Sequence, residues 1–251
     1  MKVVIIGGRG LIGKKLAALL QQAGHAVATA SPSSGVNAVT GEGLDRALAG
    51  AQVVVDVTNS PSFEDAAVMH FFQASTRHLL AASAKAGVRH FVALSVVGSE
   101  RLPDSGYLRA KIAQEALIRD GGVPYTIVRA TQFFEFLMSI AQTSGDGRTV
   151  RLPSAAIQPV AALDVAAALA DVVEQAPLNG MCEVAGAQVF PMDDLIRRVL
   201  AAHRDQREVV TDVDAPYFGT RLEDGSLVAG TQSRTGAISL DEWLATEAKA
   251  R

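Results

Sequence analysis

The first two-thirds of the chain alternate between short β-branched apolar runs and longer Ala/Leu-rich stretches with helical spacing. Strands are expected at Val3–Ile6, Ala26–Ala30, Asn37–Val39, Gln52–Val57, His90–Ser95 and Tyr125–Arg129. Helices are expected between them, at Leu11–Ala23, Leu44–Ala49, Asp65–Ala86, Tyr107–Arg119 and Phe133–Gln142. Strands that are apolar throughout and separated by helices suit a parallel sheet covered on both faces. Gly24, Gly87 and the pair Gly121-Gly122 stand where helices should stop, since glycine takes the left-handed position without penalty.

After Ser144 the texture changes. Ser144-Gly145-Asp146-Gly147 reads as a turn, and Arg148–Leu152 with Ala156–Val160 as a hairpin-like excursion. Asp164 is expected to cap a helix at Val165–Glu174, followed by a strand at Met181–Val184 and helices at Asp193–Ala202 and Asp241–Lys249. No repeat or long linker intervenes. The expected organisation is a core over residues 1–145 and a small substrate-binding lobe over 146–251, packed on it as one compact unit.

Composition narrows the function. With 49% hydrophobic residues in 251, wholesale disorder is excluded. Lys and Arg number 23 against 26 Asp and Glu, a net charge of −3, which argues against a nucleic-acid binder that works by bulk electrostatics. Cys182 is the only cysteine, so no internal disulfide can form, and it reads as a small buried hydrophobe. The five histidines show no metal-ligand spacing, so no metal is expected. Apolar runs stop well short of the ~20 residues a membrane span requires, and the amino terminus lacks the pattern of a targeting peptide. A cytoplasmic protein, monomeric or homodimeric, with a small-molecule substrate and neither membrane nor nucleic-acid partner is expected.

The strongest local signal is Gly7-Gly8-Arg9-Gly10-Leu11-Ile12-Gly13, set between the first strand and the first helix. Gly8, Gly10 and Gly13 fit G-x-G-x-x-G, while Gly7, Gly10 and Gly13 fit G-x-x-G-x-x-G. Glycines serve here because the chain turns sharply and a pyrophosphate must approach bare backbone. The N–H groups opening the helix at Leu11 and Ile12 then face the phosphates. The strand before it, the helix after it and the β/α alternation beyond are the context that this motif needs. The fold class is therefore α/β, a Rossmann-type doubly wound parallel sheet with a small C-terminal lobe. An NAD-selective site places an acidic residue at the end of the second strand. Here that strand runs into Thr29-Ala30-Ser31-Pro32-Ser33-Ser34, and the first acidic residue is Glu42. Hydroxyls at Ser31, Ser33 and Ser34 and the guanidinium of Arg9 suit a 2′-phosphate, so NADP(H) is favoured over NAD(H).

Tyr107-Leu-Arg-Ala-Lys111 sets a phenol and an ammonium four residues apart on one helix face. A nearby ammonium favours phenolate, so Tyr107 is expected to pass a proton at neutral pH. Ser95 stands at the carboxyl end of the preceding strand, where ligands of open parallel sheets bind.

The chain resembles the short-chain dehydrogenase/reductase superfamily in its extended or atypical branch, most of all the NmrA-like NAD(P)H-binding oxidoreductases. The likeness covers roughly the first 165 residues: the loop Gly7–Gly13, Thr58-Asn59, Ser95, the Tyr107/Lys111 pair, Thr126–Phe134 and Pro159–Ala166. It implies that Tyr107 donates the proton, that Lys111 holds the nicotinamide ribose and acidifies the phenol, and that Ser95 binds the substrate oxygen. It adds Thr58 and Asn59 to the cofactor site and Phe133 and Phe134 to the substrate pocket, with Phe136 nearby. Tyr217 and Phe218 fall at a lid position. Arg148 and Arg151 read as a solvated hairpin. The expected activity is NADPH-dependent reduction of a small apolar carbonyl compound or quinone. Two rivals stay open: a non-catalytic NADP(H) sensor of the NmrA type, and a nucleotide-sugar epimerase or dehydratase, which needs a diphosphate grip in the tail.

Overall fold

The computed structural model describes residues 1–249. The first part runs β1 (Lys2–Ile6), α1 (Leu11–Gln22), β2 (Ala26–Ala30), α2 (Leu44–Leu48), β3 (Val53–Asp56), α3 (Asp65–Ala86), β4 (His90–Val96), α4 (Gly106–Asp120), β5 (Tyr125–Ala130) and α5 (Leu137–Thr143). Then come β6 (Thr149–Leu152), β7 (Ala156–Ile157), α6 (Ala162–Glu174), β8 (Gly180–Ala185), β9 (Phe190–Pro191), α7 (Met192–Ala202), β10 (Glu208–Thr211), β11 (Arg234–Thr235) and α8 (Leu240–Lys249).

Seven strands form the main sheet in the order β11-β8-β5-β4-β3-β1-β2, all paired in parallel. Alternation within β1 shows why both faces must be covered. Val3 and Ile5 pack with Leu16, Leu20, Val165 and Leu169 of α1 and α6. Val4 and Ile6 pack with Leu44, Leu79 and Ile118 of α2, α3 and α4. The strand order reverses between β1 and β3, so the loops leaving their carboxyl ends part and open a crevice. A third apolar cluster, with Leu137, Leu152, Leu195, Val199 and Trp243, lies under the later elements. Among the described residues no helix is long and apolar enough to cross a membrane.

Three local expectations fail, each for a visible reason. Asn37–Val39 is not a strand, because the Asn37 side chain accepts from Val39 N at 2.9 Å and closes a turn in place of a ladder. The 148–160 segment is not one hairpin: β6 pairs in parallel with β10, and β7 pairs antiparallel with β9. Pro153 follows β6 directly and has no N–H to extend it. Asp164 is not the cap of α6, which begins at Ala162; its carboxylate accepts from Ile238 N at 2.9 Å instead. Glu135 does the capping, accepting Ala162 N at 3.2 and 3.1 Å.

The tail is pinned over the carboxyl ends of the strands. At Gly98 (φ +77°) a Cβ would lie 2.1 Å from Ser226 O, so only glycine lets the two backbones meet there. Arg101 then donates to Gly225 O at 2.7 Å and Val228 O at 2.8 Å.

Candidate active site

The glycine loop does two separate jobs. At Gly8 a Cβ would come within 2.5 Å of Thr29 Cβ, and at Gly13 within 2.4 Å of Gly7 O, so the chain itself demands glycine at both. Gly10 differs. Its nearest neighbour would be Gly7 O at 3.3 Å, and it faces a cavity of about 1070 Å³. The space that a side chain would fill is left to a ligand against bare backbone, at the amino end of α1.

That cavity gathers most of the expected residues. Gly7, Arg9, Gly10, Leu11, Ile12, Ser31, Thr58, Asn59, Ser95, Tyr107, Lys111 and Phe133 all line it. Gly13 lies beneath the loop, and Ser33 reaches the site through Arg9, whose Nη1 donates to Ser33 Oγ at 2.6 Å. Ser31 Oγ is 3.0 Å from Ser33 Oγ. A guanidinium and two hydroxyls thus meet beyond β2 with no carboxylate at its end. A dinucleotide fits these residues: Gly10 and the α1 amino end for the pyrophosphate, the Arg9–Ser33–Ser31 group for the far ribose, and Lys111 for the near one.

α4 carries Tyr107 and Lys111. Ser105 caps the helix, accepting Leu108 N at 3.4 Å, and Arg109 ties it to α3 through Asp65 Oδ2 at 2.5 Å. The Lys111 ammonium turns inward, donating to Leu94 O at 2.8 Å and to Gln114 Oε1, with Nζ 4.4 Å from the centre of the Phe72 ring. Burial draws its pKa down to about 8 against the pull of Asp56 and Glu115. Tyr107 instead sits among Phe63 and Phe72, at ring distances of 5.6 and 5.9 Å. Burial pushes its pKa up to about 12. The expected acidification of the phenol by the ammonium is therefore reversed: burial is what shifts Tyr107, while the ammonium is engaged by Leu94 O, Gln114 and the Phe72 ring. The direction of that shift keeps the Tyr107 phenol protonated at neutral pH.

A correction falls on the aromatics. Phe134 is 2% exposed and packs on Trp243 at 5.5 Å, so it belongs to the core and not to the pocket. Phe136 takes its place, stacked on Phe133 at 5.4 Å and 23°. Residues 134–136 form a 3₁₀ turn, which stacks positions three apart on one side. That spacing is readable in the sequence.

Sequence reasoning misses a buried layer beneath the site. Asp56, 1% exposed at the end of β3, accepts from Thr58 N, Thr58 Oγ1 and Gln114 Nε2 at 3.0, 2.7 and 3.0 Å. Burial raises its pKa despite these donors. Glu115 accepts Ser95 Oγ–H at 2.6 Å and pairs with Arg129 in a fork of 2.8 and 2.7 Å. The signal that could reveal this layer is helical spacing: Gln114 and Glu115 stand three and four residues after Lys111, on its own helix face.

Residues 7–176 match the family described as NAD(P)H-binding. The chain belongs to that family. Among its relatives, this NAD(P)H-binding chain is 32% identical over 185 residues to a (4-alkanoyl-5-oxo-2,5-dihydrofuran-3-yl)methyl phosphate reductase of Streptomyces griseus, covering 66% of this chain and 62% of that one. It is 31% identical over 123 residues to the chloroplastic divinyl chlorophyllide a 8-vinyl-reductase of Arabidopsis thaliana, covering 45% of this chain and 29% of that one. The chain thus spans less than two-thirds of these relatives' lengths. In structure it resembles a short-chain dehydrogenase/reductase superfamily protein of Agrobacterium tumefaciens with bound NAD, at a TM-score of 0.75 and 19% identity over 100% of this chain and 97% of that one. The NAD(P)H-binding chain therefore has the expected Rossmann-type fold.

Proposed function

We propose that the protein is an NADPH-dependent reductase of a small, apolar, uncharged carbonyl compound or quinone. One observation carries this reading: a single cavity joins the glycine loop to Lys111 and Tyr107 and then to a wall built from Phe63, Phe133 and Phe136. The basic side chains lining it are Arg9, at the glycine loop, and Lys111, turned inward. Among the described residues a nucleotide-sugar diphosphate would find no further cation lining the cavity, which disfavours the epimerase or dehydratase reading. The names of the two curated relatives, both reductases, support reduction.

When bound, the dinucleotide supplies a hydride for the carbonyl carbon. The chain supplies the proton, from the Tyr107 O–H to the carbonyl oxygen, so that a ketone C=O becomes CH–OH and a quinone, taking up the same hydride and proton, becomes a hydroquinone. Lys111, fixed at the cavity wall by Leu94 O and Gln114, would hold the near ribose through its remaining N–H. The aromatic wall excludes water and orients an apolar substrate.

The test is NADPH consumption with a panel of quinones and small ketones. Turnover of an uncharged member is expected. Tight NADPH binding with no reduction across the panel would favour the sensor reading instead.

A further inference from the structure

Ser95 has one hydrogen to donate, and Glu115 already has it. Ser95 Oγ lies 2.6 Å from Glu115 Oε1. Arg129 grips both oxygens of that carboxylate, which is therefore an acceptor, so the shared hydrogen is the serine's. Ser95 is 3% and Glu115 1% exposed, and Arg129 Nη1 is fixed further by Glu100 at 2.8 Å. Turning the hydroxyl toward a substrate would strip a donor from a buried carboxylate, which the interior penalises.

A carbonyl oxygen that gains charge as its carbon is reduced is best met by more than one preorganised donor. Tyr107 is one. The tail brings another into the same cavity. Tyr217 N donates to Thr220 O at 2.8 Å and Thr220 N to Tyr217 O at 3.0 Å, closing a tight turn with Phe218 at its crest (φ +45°). Phe218 packs edge-on against the Tyr217 ring at 4.8 Å. The loop cannot drift far, because Gly98 and Arg101 clamp residues 225–228 just after it. Tyr217 is 9% exposed, lines the cavity and sits in the apolar cluster against which Tyr107 packs. Burial and the neighbouring Tyr107 both raise its pKa, so it too keeps its proton.

We propose that Tyr217 is the second hydrogen-bond donor to the substrate carbonyl oxygen, the role that the superfamily resemblance assigns to Ser95. Ser95 becomes a positioning residue that anchors Glu115 and Arg129 beneath the strand ends. The assignment depends on the carbonyl-reduction reading above.

The experiment uses the full chain with NADP⁺ and acetophenone labelled with ¹³C at the carbonyl, followed by infrared difference spectroscopy, with steady-state NADPH consumption measured alongside. Each donated hydrogen bond lowers the carbonyl stretching frequency. The bound ketone should show a lowered band, Tyr217→Phe and Tyr107→Phe should each return part of the shift, and Ser95→Ala should return less than either. Tyr217→Phe should also lower kcat by about 10²–10³-fold, with NADPH affinity retained. The phenylalanine keeps the ring against Phe218, so the loop should hold. If Tyr217→Phe leaves the band in place while Tyr107→Phe moves it, Tyr217 is not the donor and the carbonyl reading stands. Tyr217 is likewise excluded as the donor if Tyr217→Phe lowers rate and urea midpoint together without moving the band. If the parent protein shows no lowered band and consumes no NADPH, the reductase reading fails and the Tyr217 role falls with it.

Discussion

The Gln114 amide stands between Lys111 and Asp56, accepting from the ammonium and donating to the carboxylate at 3.0 Å. The two charges are thus coupled through a neutral bridge in a buried layer. Their balance decides how long Lys111 stays charged. Burial favours the neutral amine, while Asp56 and Glu115 favour the ammonium, and the outcome is a pKa of about 8.

NADPH affinity should therefore hold at neutral pH and weaken as pH rises through about 8, where the free protein loses the Lys111 charge. Asp56→Asn removes a charge that favours the ammonium, so the weakening should begin at lower pH. Fluorescence titration of NADPH from neutral to alkaline pH measures both. A limb that Asp56→Asn does not move would show that the carboxylate has no hold on Lys111.

Gly10→Glu should abolish dinucleotide binding in a folded protein. The protein itself leaves room at Gly10, with only Gly7 O at 3.3 Å, so the loss would come from a side chain and a negative charge in the ligand's place. Gly13→Ala should instead impair folding, since its Cβ would lie 2.4 Å from Gly7 O and 2.6 Å from Gly8 Cα. Circular dichroism with NADPH titration separates the two cases. Unchanged affinity in Gly10→Glu would remove the loop from the site.

The cofactor preference should rest on Arg9. NADPH is expected to bind more tightly than NADH, and Arg9→Ala to narrow the gap by about 1–2 kcal/mol, the range of a charge-assisted bond at a partly exposed position. Isothermal titration with both dinucleotides checks it. A wild-type preference for NADH would leave the Arg9–Ser33–Ser31 group without this role.

Tyr107→Phe should keep the fold and the cofactor and lose about 10²–10⁴-fold in turnover of a ketone, the usual weight of general acid catalysis. A quinone is a less demanding substrate, because hydride transfer to it proceeds with a weaker acid or water. Ketone turnover at the parent rate would exclude Tyr107 as the proton donor.

Glu115→Ala should be among the most damaging single changes to stability. It leaves the Arg129 guanidinium, with 8% of its side chain exposed, without its forked partner. Breaking a buried pair from one side costs about 3–5 kcal/mol. Urea unfolding would show it as a fall in midpoint, and a loss below about 1 kcal/mol would mean that Glu100 alone can hold Arg129.

The parallel sheet and the glycine loop that follows β1 are legible in the sequence, because both are written in local pattern. Apolar strands separated by helices require two covering layers, and α3 begins and ends where its periodicity and Gly87 say it should. Gly7 to Gly13 is one continuous run of chain, so the tight turn it makes between β1 and α1 is legible without the fold. What each polar group faces follows from tertiary contacts that no local pattern encodes. Phe134 and Phe136 look alike in sequence, yet one packs on Trp243 of the distant α8 and the other opens to the cavity. The 107–111 spacing predicts that Lys111 acidifies Tyr107, but Leu94 O and Gln114 turn the ammonium inward and burial then sets both pKa values. Ser95 loses its free hydrogen to Glu115, and Tyr217 enters the cavity on a loop clamped by Gly98 and Arg101 from far earlier in the chain. Periodicity reports which face of an element is buried. It does not report which distant side chain will lie against it, and at a catalytic centre that neighbour decides where the proton goes.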